Sequence, residues 1–194
     1  MRASDRAGPV FEFEGFSLGI GSISLAPTLS EYLVRNHEHF RHCMPLMPSS
    51  FFSVESCEKR LASAIDEYQA DQSVKLLLLS EQGDRTRVIG DLSFTNITRG
   101  VFQACHLGYK IDREFQGQGL MSKALCAALG YVFDDMGLHR VMANYQPTNE
   151  RSGRLLRRLN FTIEGYARDY LLLDGRWQDH ILTALVNTQW KQQN

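Results

Sequence analysis

The sequence predicts an α/β protein: a mixed, mostly antiparallel sheet of about seven strands flanked by helices. Three observations carry that expectation. Apolar residues alternate with a period near two, or gather in β-branched and aromatic runs, in seven segments. They recur at helical spacing in four others. Gly, Asn and Asp-Gly stand at the joints between them.

Taken in order, Phe16, Leu18, Ile20, Ile23 and Leu25 mark a first strand, with a bulge or turn at Gly21-Ser22. The first fifteen or so residues are expected to fray. Residues 28–40 and 54–70 have helical spacing, as in Leu61, Ile65 and Tyr68, and a proline-bearing loop from Cys43 to Ser53 separates them. Val74–Ser80 and Val88–Thr95 read as a hairpin joined by EQGDRTR, and Phe102–Ile111 continues the meander. Leu125, Leu129, Val132 and Met136 then share one stripe of a helix over Leu120–Met136, which Gly137 stops. A strand at Arg140–Tyr145 follows. Asn149 suits the N-cap of a helix running to Leu159, and Asn160 the left-handed position after it. The chain closes with a hairpin, Thr162–Leu173 and Trp177–Val186, about the turn pair Asp174-Gly175.

At 194 residues, without repeat, low-complexity tract or linker, the chain is expected to form one domain. Twenty-one basic against twenty-two acidic residues give a net charge of −1, so no global basic field draws it onto DNA or RNA. Any anion site must be local. The longest aliphatic run, Leu76–Leu79, is far short of a membrane span and the start lacks a signal-peptide core, which reads as a soluble, cytoplasmic protein without membrane contact. The four cysteines form no CxxC and are expected to be reduced thiols. His37, His39 and His42 with Cys43 do not converge on one helical face, so no metal is expected, and the histidines read instead as solvated or as the lining of a groove.

The informative segment is 105–122, CHLGYKIDREFQGQGLMS: a strand, a glycine-bearing loop, then the long helix. A helix start exposes N–H groups without intrahelical acceptors and the positive end of the helix dipole, so it can hold a phosphate without any lysine. Gly117 and Gly119 would let that phosphate approach. By itself QGQG is equally a plain turn before a helix.

The surrounding order decides between the two. Gln116-Gly117-Gln118-Gly119 follows LGYKI and precedes LMSKAL, and in this setting the sequence resembles the GNAT superfamily of N-acetyltransferases, whose acetyl-CoA loop is Q/R-x-x-G-x-G/A. Met121 departs from the small residue usual there, as in the branch of RimJ and RimL type that acetylates ribosomal-protein N-termini. GYKIDREFQGQGLMSKAL, HRVMANYQPTNERSGRLLRRLNF and EGYARDYLLLDGRWQDHILTAL extend the likeness over roughly residues 88–186. The first eighty residues resemble the branch less: GFSLGIGSISL replaces its usual first strand, and only YLVRNHEHFRHCMP is similar to the helix and loop that follow.

The resemblance implies that the sheet splays between its fourth and fifth strands and that the pantetheine arm of acetyl-CoA pairs with Tyr109 and Ile111 there. The Tyr109 N–H would stabilise the thioester oxygen as charge develops on it. The diphosphate would rest on the amides of Gln116, Gly117, Gln118, Gly119, Leu120, Met121 and Ser122. Asn149 would touch the cofactor, and Ser152 would lie at the sulfur and protonate the departing thiolate. Read from the residues alone, the same pair is a helix cap and an ordinary first-turn serine. Tyr145, Tyr166 and Tyr170 are further tyrosines read mainly as packing residues, with Tyr170 a backup acid.

No general base is evident. Where the superfamily often carries a strand-four Glu there is Cys105, and where the RimL relatives carry one on strand six there is Leu171; His106, Glu114, Asp169 and a water held by backbone groups remain. An α-amine of pKa about 7.7–8.0 is already partly neutral near neutral pH, whereas a lysine near 10.4 needs more help. The implied function is therefore acetyl transfer from acetyl-CoA to a protein N-terminus, the alanine of a ribosomal protein, by direct attack in a ternary complex. Arg151, Arg154, Arg157 and Arg158 could meet the cofactor's 3′-phosphate or the RNA of the ribosomal particle, with two or three of them read as a plain solvated helix face. Two rivals stand beside it: an acetyltransferase for a small amine, antibiotic or lysine, and a non-catalytic module that binds acetyl-CoA or the ribosome.

Overall fold

The computed structural model describes residues 8–13, 15–82 and 85–191. Its elements are β1 (Val10–Phe13), β2 (Phe16–Ile20), α1 (Ala26–Arg35), α2 (His37–Phe40), α3 (Val54–Gln69), β3 (Val74–Gln82), β4 (Arg85–Thr98), β5 (Ala104–Ile111), α4 (Leu120–Asp134), β6 (Arg140–Tyr145), α5 (Glu150–Arg158), β7 (Thr162–Leu173) and β8 (Arg176–Val186). They form one eight-stranded sheet in the order β1-β2-β3-β4-β5-β6-β8-β7, mixed and mostly antiparallel, with helices on its faces. The expected fold class stands, with one strand more than the seven read from sequence.

That extra strand is β1, which pairs antiparallel with β2 within the stretch expected to fray. Of that stretch, residues 1–7 and 14 lie outside the described residues, as does the 83–84 tip of the β3–β4 hairpin. The first strand was expected to reach Leu25 but ends at Ile20, and Ile23–Leu25 forms a 3-10 turn leading into α1. At Gly21 the backbone passes so close to the core that an added Cβ would stand 2.6 Å from Leu77 and 2.8 Å from Leu61. The helix expected over 28–40 is broken at Asn36. Its buried side chain donates to the Tyr32 carbonyl (3.0 Å) and accepts from the Arg113 N–H (3.1 Å). The remaining helices and the β7–β8 hairpin agree with expectation to within a residue or two. Asn160, Asp174 and Gly175 adopt the positive φ their turns demand.

Both faces of the sheet are covered, which explains the unbroken apolar run of β3. Leu76 and Leu78 point toward α4, which buries Leu125, Leu129 and Val132; Leu77 points to the other side, with α1 and α3. The one parallel contact positions the site. β5 and β6 pair only at Ala104↔Arg140, Cys105↔Val141 and His106↔Met142, and then diverge. Beyond His106, β5 still pairs with β4 but offers its other edge to an open V.

Candidate active site

The V opens into a cleft of about 1050 Å³, walled by β5, by the loop leading into α4, by α2 with the turn after it, and by α5. The Asp112 N–H donates to the Ile89 carbonyl on β4 (2.7 Å). Backbone groups alternate sides along a strand, so the amides of Tyr109 and Ile111 face the opposite, open edge. These are the two residues expected to pair with an extended ligand.

The loop after β5 is anchored from below. Asp112 is buried and caps the 3-10 turn Arg113–Phe115 through the Glu114 N–H (3.1 Å). Arg35 of α1 grips its carboxylate with two nitrogens at 2.8 and 2.6 Å. Burial pushes this carboxyl up, but Arg35, the Glu114 amide and Asn36 outweigh it and hold the group below the ordinary carboxylate range. Gly117 and Gly119 both have φ of +77°, and nothing lies within 4 Å of where a Cβ would project. Gly119 is the N-cap of α4 and supplies no side-chain acceptor, while Leu120 and Met121 bury their side chains. What this corner presents to the cleft is main chain: the first amides of a 15-residue helix, bare and at its positive end.

Gln116 does something the loop pattern did not suggest. Its side chain bridges the cleft's two walls, meeting His39 of α2 at 2.6 Å and Arg151 of α5. Arginine only donates, so Arg151 must meet the amide oxygen. The amide NH2 then donates to His39 Nε2, which must be unprotonated. Burial, then His42 and Arg113, lower the His39 pKa and favour that neutral form. The Gln116 backbone N–H donates to the Arg113 carbonyl.

On the far wall Asn149 caps α5, its Oδ1 accepting from the Ser152 N–H (3.1 Å), so the capping role read from sequence is present. Ser152 Oγ lies 2.6 Å from the Tyr109 hydroxyl, across the V. Burial pushes the Tyr109 phenol up to about 12, the Ser152 bond opposing it. Gly153 is required here, since a Cβ would stand 2.8 Å from the Tyr145 ring. Arg151, Arg154 and Arg158 fall on the cleft face of α5, while Arg157 turns away and is exposed.

The base candidates do not converge on the cleft. His106 sits at the apex of the V with a buried, unpartnered Nδ1 and a pKa lowered by burial. Glu114 pairs with Arg87 at 2.6 Å, and Asp169 stands on an irregular stretch of β7 at φ +49°. Tyr170 accepts from Asn144 (3.1 Å), and exposed Tyr166 donates to Asp179. No Asp or Glu lines the cleft among the described residues, whereas Lys110, Arg113, Arg151, Arg154 and Arg158 all do. Cys105 is fully buried and burial pushes its thiol up to about 12, which makes it inert. Cys43 lines the cleft, but its thiol donates to the Phe40 carbonyl and is likewise raised by burial.

The residues of this wall escaped the sequence reading, apart from the expectation that the histidines line a groove. His39 and His42 do line the cleft; His37 instead packs on Phe52, with ring centroids 4.8 Å apart. The turn after α2 is held over the cleft by Gln146 on the His42 carbonyl (2.9 Å) and by Arg41 on Asp174 (3.0 Å). Among the described residues no helix is long and apolar enough to cross a membrane, and no three His, Cys, Asp or Glu side chains are grouped to hold a metal.

The site is thus a mixed sheet splayed beside a bare helix N-terminus, and comparison with known proteins gives the family. A family model described as an acetyltransferase (GNAT) domain matches residues 23–162. This chain belongs to the GNAT acetyltransferases and is an acetyl-CoA-dependent N-acetyltransferase. It is 43% identical over 162 residues to the [ribosomal protein uS5]-alanine N-acetyltransferase of Escherichia coli, covering 84% of this chain and 82% of the relative. The crystal structure of the ribosomal-protein-S5-alanine acetyltransferase from Vibrio fischeri superposes with a TM-score of 0.90 at 35% identity, covering 95% of this chain and 100% of that one. Mycobacterium smegmatis RimJ, solved in complex with CoA-disulfide, shares the fold at a TM-score of 0.82 and 24% identity, covering 91% and 84% of the two chains.

Proposed function

We propose that this protein transfers the acetyl group of acetyl-CoA to the α-amine of a protein N-terminus, the alanine of a ribosomal protein of the uS5 type, by direct attack in a ternary complex in the cytoplasm. The supporting observation is the character of the cleft, which among the described residues joins bare main-chain amides and five cationic side chains with no lining carboxylate. The residues fit acetyl-CoA: open space above Gly117 and Gly119 admits a diphosphate to the main chain, and the free edge of β5 suits an extended amide-bearing arm. The cofactor supplies an acyl group activated as a thioester. The identity to the uS5-alanine relative supports the choice of acceptor.

In this reading the amides of Gly117 to Ser122, with Gln116 as the clamp beside them, hold the diphosphate. Arg151, Arg154 or Arg158 meets the remaining phosphate. Tyr109 and Ile111 orient the arm, and the Tyr109 N–H stabilises the charge that develops on the thioester oxygen. Asn149 fixes the first turn of α5, and Ser152 gives its proton to the departing sulfur. Neither cysteine near the sheet is competent to take the acetyl group, which favours direct attack.

The cleft's chemistry also ranks the acceptors. A lysine ε-amine near pKa 10.4 would need a base, and among the described residues no lining carboxylate supplies one; an α-amine near 7.7–8.0 has a substantial neutral fraction unaided. A polyamine would bring positive charge to five cations. The test is incubation of the pure protein with acetyl-CoA and three acceptors: a peptide beginning with alanine, the same peptide N-terminally blocked with an internal lysine, and spermidine. Acetylation of the free alanine alone is expected by mass spectrometry; product only on lysine or spermidine would overturn the assignment.

A further inference from the structure

The Tyr109 hydroxyl has no part in the roles given so far, which use only that residue's main chain. It nevertheless makes the short bond to Ser152, 2.6 Å across a gap that the two strands no longer bridge. β5 and β6 cease pairing at His106↔Met142, three residues before Tyr109, and Ser152 sits in the first turn of the helix that follows β6. The serine is otherwise rigidly placed. Its N–H is tied to Asn149 at 3.1 Å, and the Tyr145 ring closes over Gly153 beside it.

A hydroxyl pair shares one hydrogen, and the better donor supplies it. A phenol is the stronger acid of the two, so Tyr109 donates and Ser152 Oγ accepts. Ser152 must then place its own hydrogen elsewhere. Serines in helices commonly return it to a carbonyl one turn back, but among the described residues Ser152 makes no such bond. Both side chains line the cleft, so the free hydrogen is left to the cleft.

We propose that the Tyr109 hydroxyl is a positioning group that holds Ser152 Oγ as an acceptor and thereby aims the Ser152 hydrogen at the leaving sulfur. This rests on the reading of Ser152 as the proton donor. In the step concerned, Ser152 gives its proton to the sulfur as the carbon–sulfur bond breaks and the carbon–nitrogen bond forms. Tyr109, the stronger acid, passes its hydrogen along the bond as the serine oxygen gives up its own. The pair then recovers the proton that the attacking amine releases, through solvent, so protons balance over the turnover.

The experiment compares wild type with Tyr109→Phe, Ser152→Ala and the double variant, measuring kcat, KM for acetyl-CoA, CoA affinity by calorimetry and melting temperature. Tyr109→Phe should lower kcat roughly tenfold, the worth of one well-placed hydrogen bond, with KM, CoA affinity and melting temperature nearly unchanged. Ser152→Ala should lower kcat by roughly a hundredfold, and the double variant should be no slower than Ser152→Ala alone. Wild-type kcat in Tyr109→Phe, or a double variant slower by the product of the two single effects, overturns the proposal. Loss of kcat together with equal loss of CoA affinity would overturn it too, by making the bond a mere strut across the V. Wild-type kcat in Ser152→Ala would instead overturn the proton-donor reading beneath it.

Discussion

Asp112 ties the acceptor side of the molecule to the cofactor loop. Its carboxylate is buried against two Arg35 nitrogens, and its neighbour Arg113 gives an N–H to Asn36. Removing the charge would leave Arg35, which is 29% exposed and also donates to the Val88 carbonyl, without its ion-pair partner, a loss of about 1.5–3 kcal/mol for a hydrogen-bonded charge. Asp112→Asn should therefore unfold at markedly lower urea concentration and bind acetyl-CoA more weakly. His39 gives a pH dependence of its own. Its folded pKa lies below the unfolded value of about 6.5, so between the two the unfolded chain binds more protons and stability falls as pH drops. Urea midpoints measured from roughly pH 8 down to pH 5 should decline across that window, and His39→Gln, which keeps an acceptor for Gln116, should flatten the decline. At this scale the sequence disclosed the residues whose roles are local. Asn149 as cap and Gly119 as the side-chain-free opening to the helix start follow from neighbours in the chain. The partners of Asp112, Gln116 and Tyr109 lie 77, 77 and 43 residues away and leave no periodic trace.

Among the elements, α4 carries the clearest consequence. Gly119 needs φ of +77° while its Cβ direction is open, so an alanine there costs conformation and not space. Gly119→Ala should destabilise by about 1–2 kcal/mol, and its larger effect should be weaker acetyl-CoA binding as the α4 amides turn from the cleft. The N-cap of α5 gives a contrasting prediction. Asn149→Ala should cost about 1 kcal/mol of stability, read as a lower melting temperature, and should also slow turnover by loosening Ser152. Elements with strong internal signals, α3, α4 and the Asp-Gly hairpin, were legible. The interruption of residues 28–40 was not: Asn36 is only a weak helix former, and the bond it accepts from the Arg113 N–H comes from a distant loop.

Across the whole molecule, strand types were readable but strand order was not. Nothing in the alternation of residues 162–186 states that β8 inserts beside β6 and leaves β7 at the edge. The splay followed from resemblance, and its physical expression is the parallel pairing that lasts only three residue pairs. That V, with the bare amides of α4 at its mouth, is the feature on which the functional account stands. Isothermal titration of the pure protein with acetyl-CoA tests it most directly. One saturable site per chain, weakened in Gly119→Ala, is the predicted result; absence of heat, or binding indifferent to that substitution, would contradict the account.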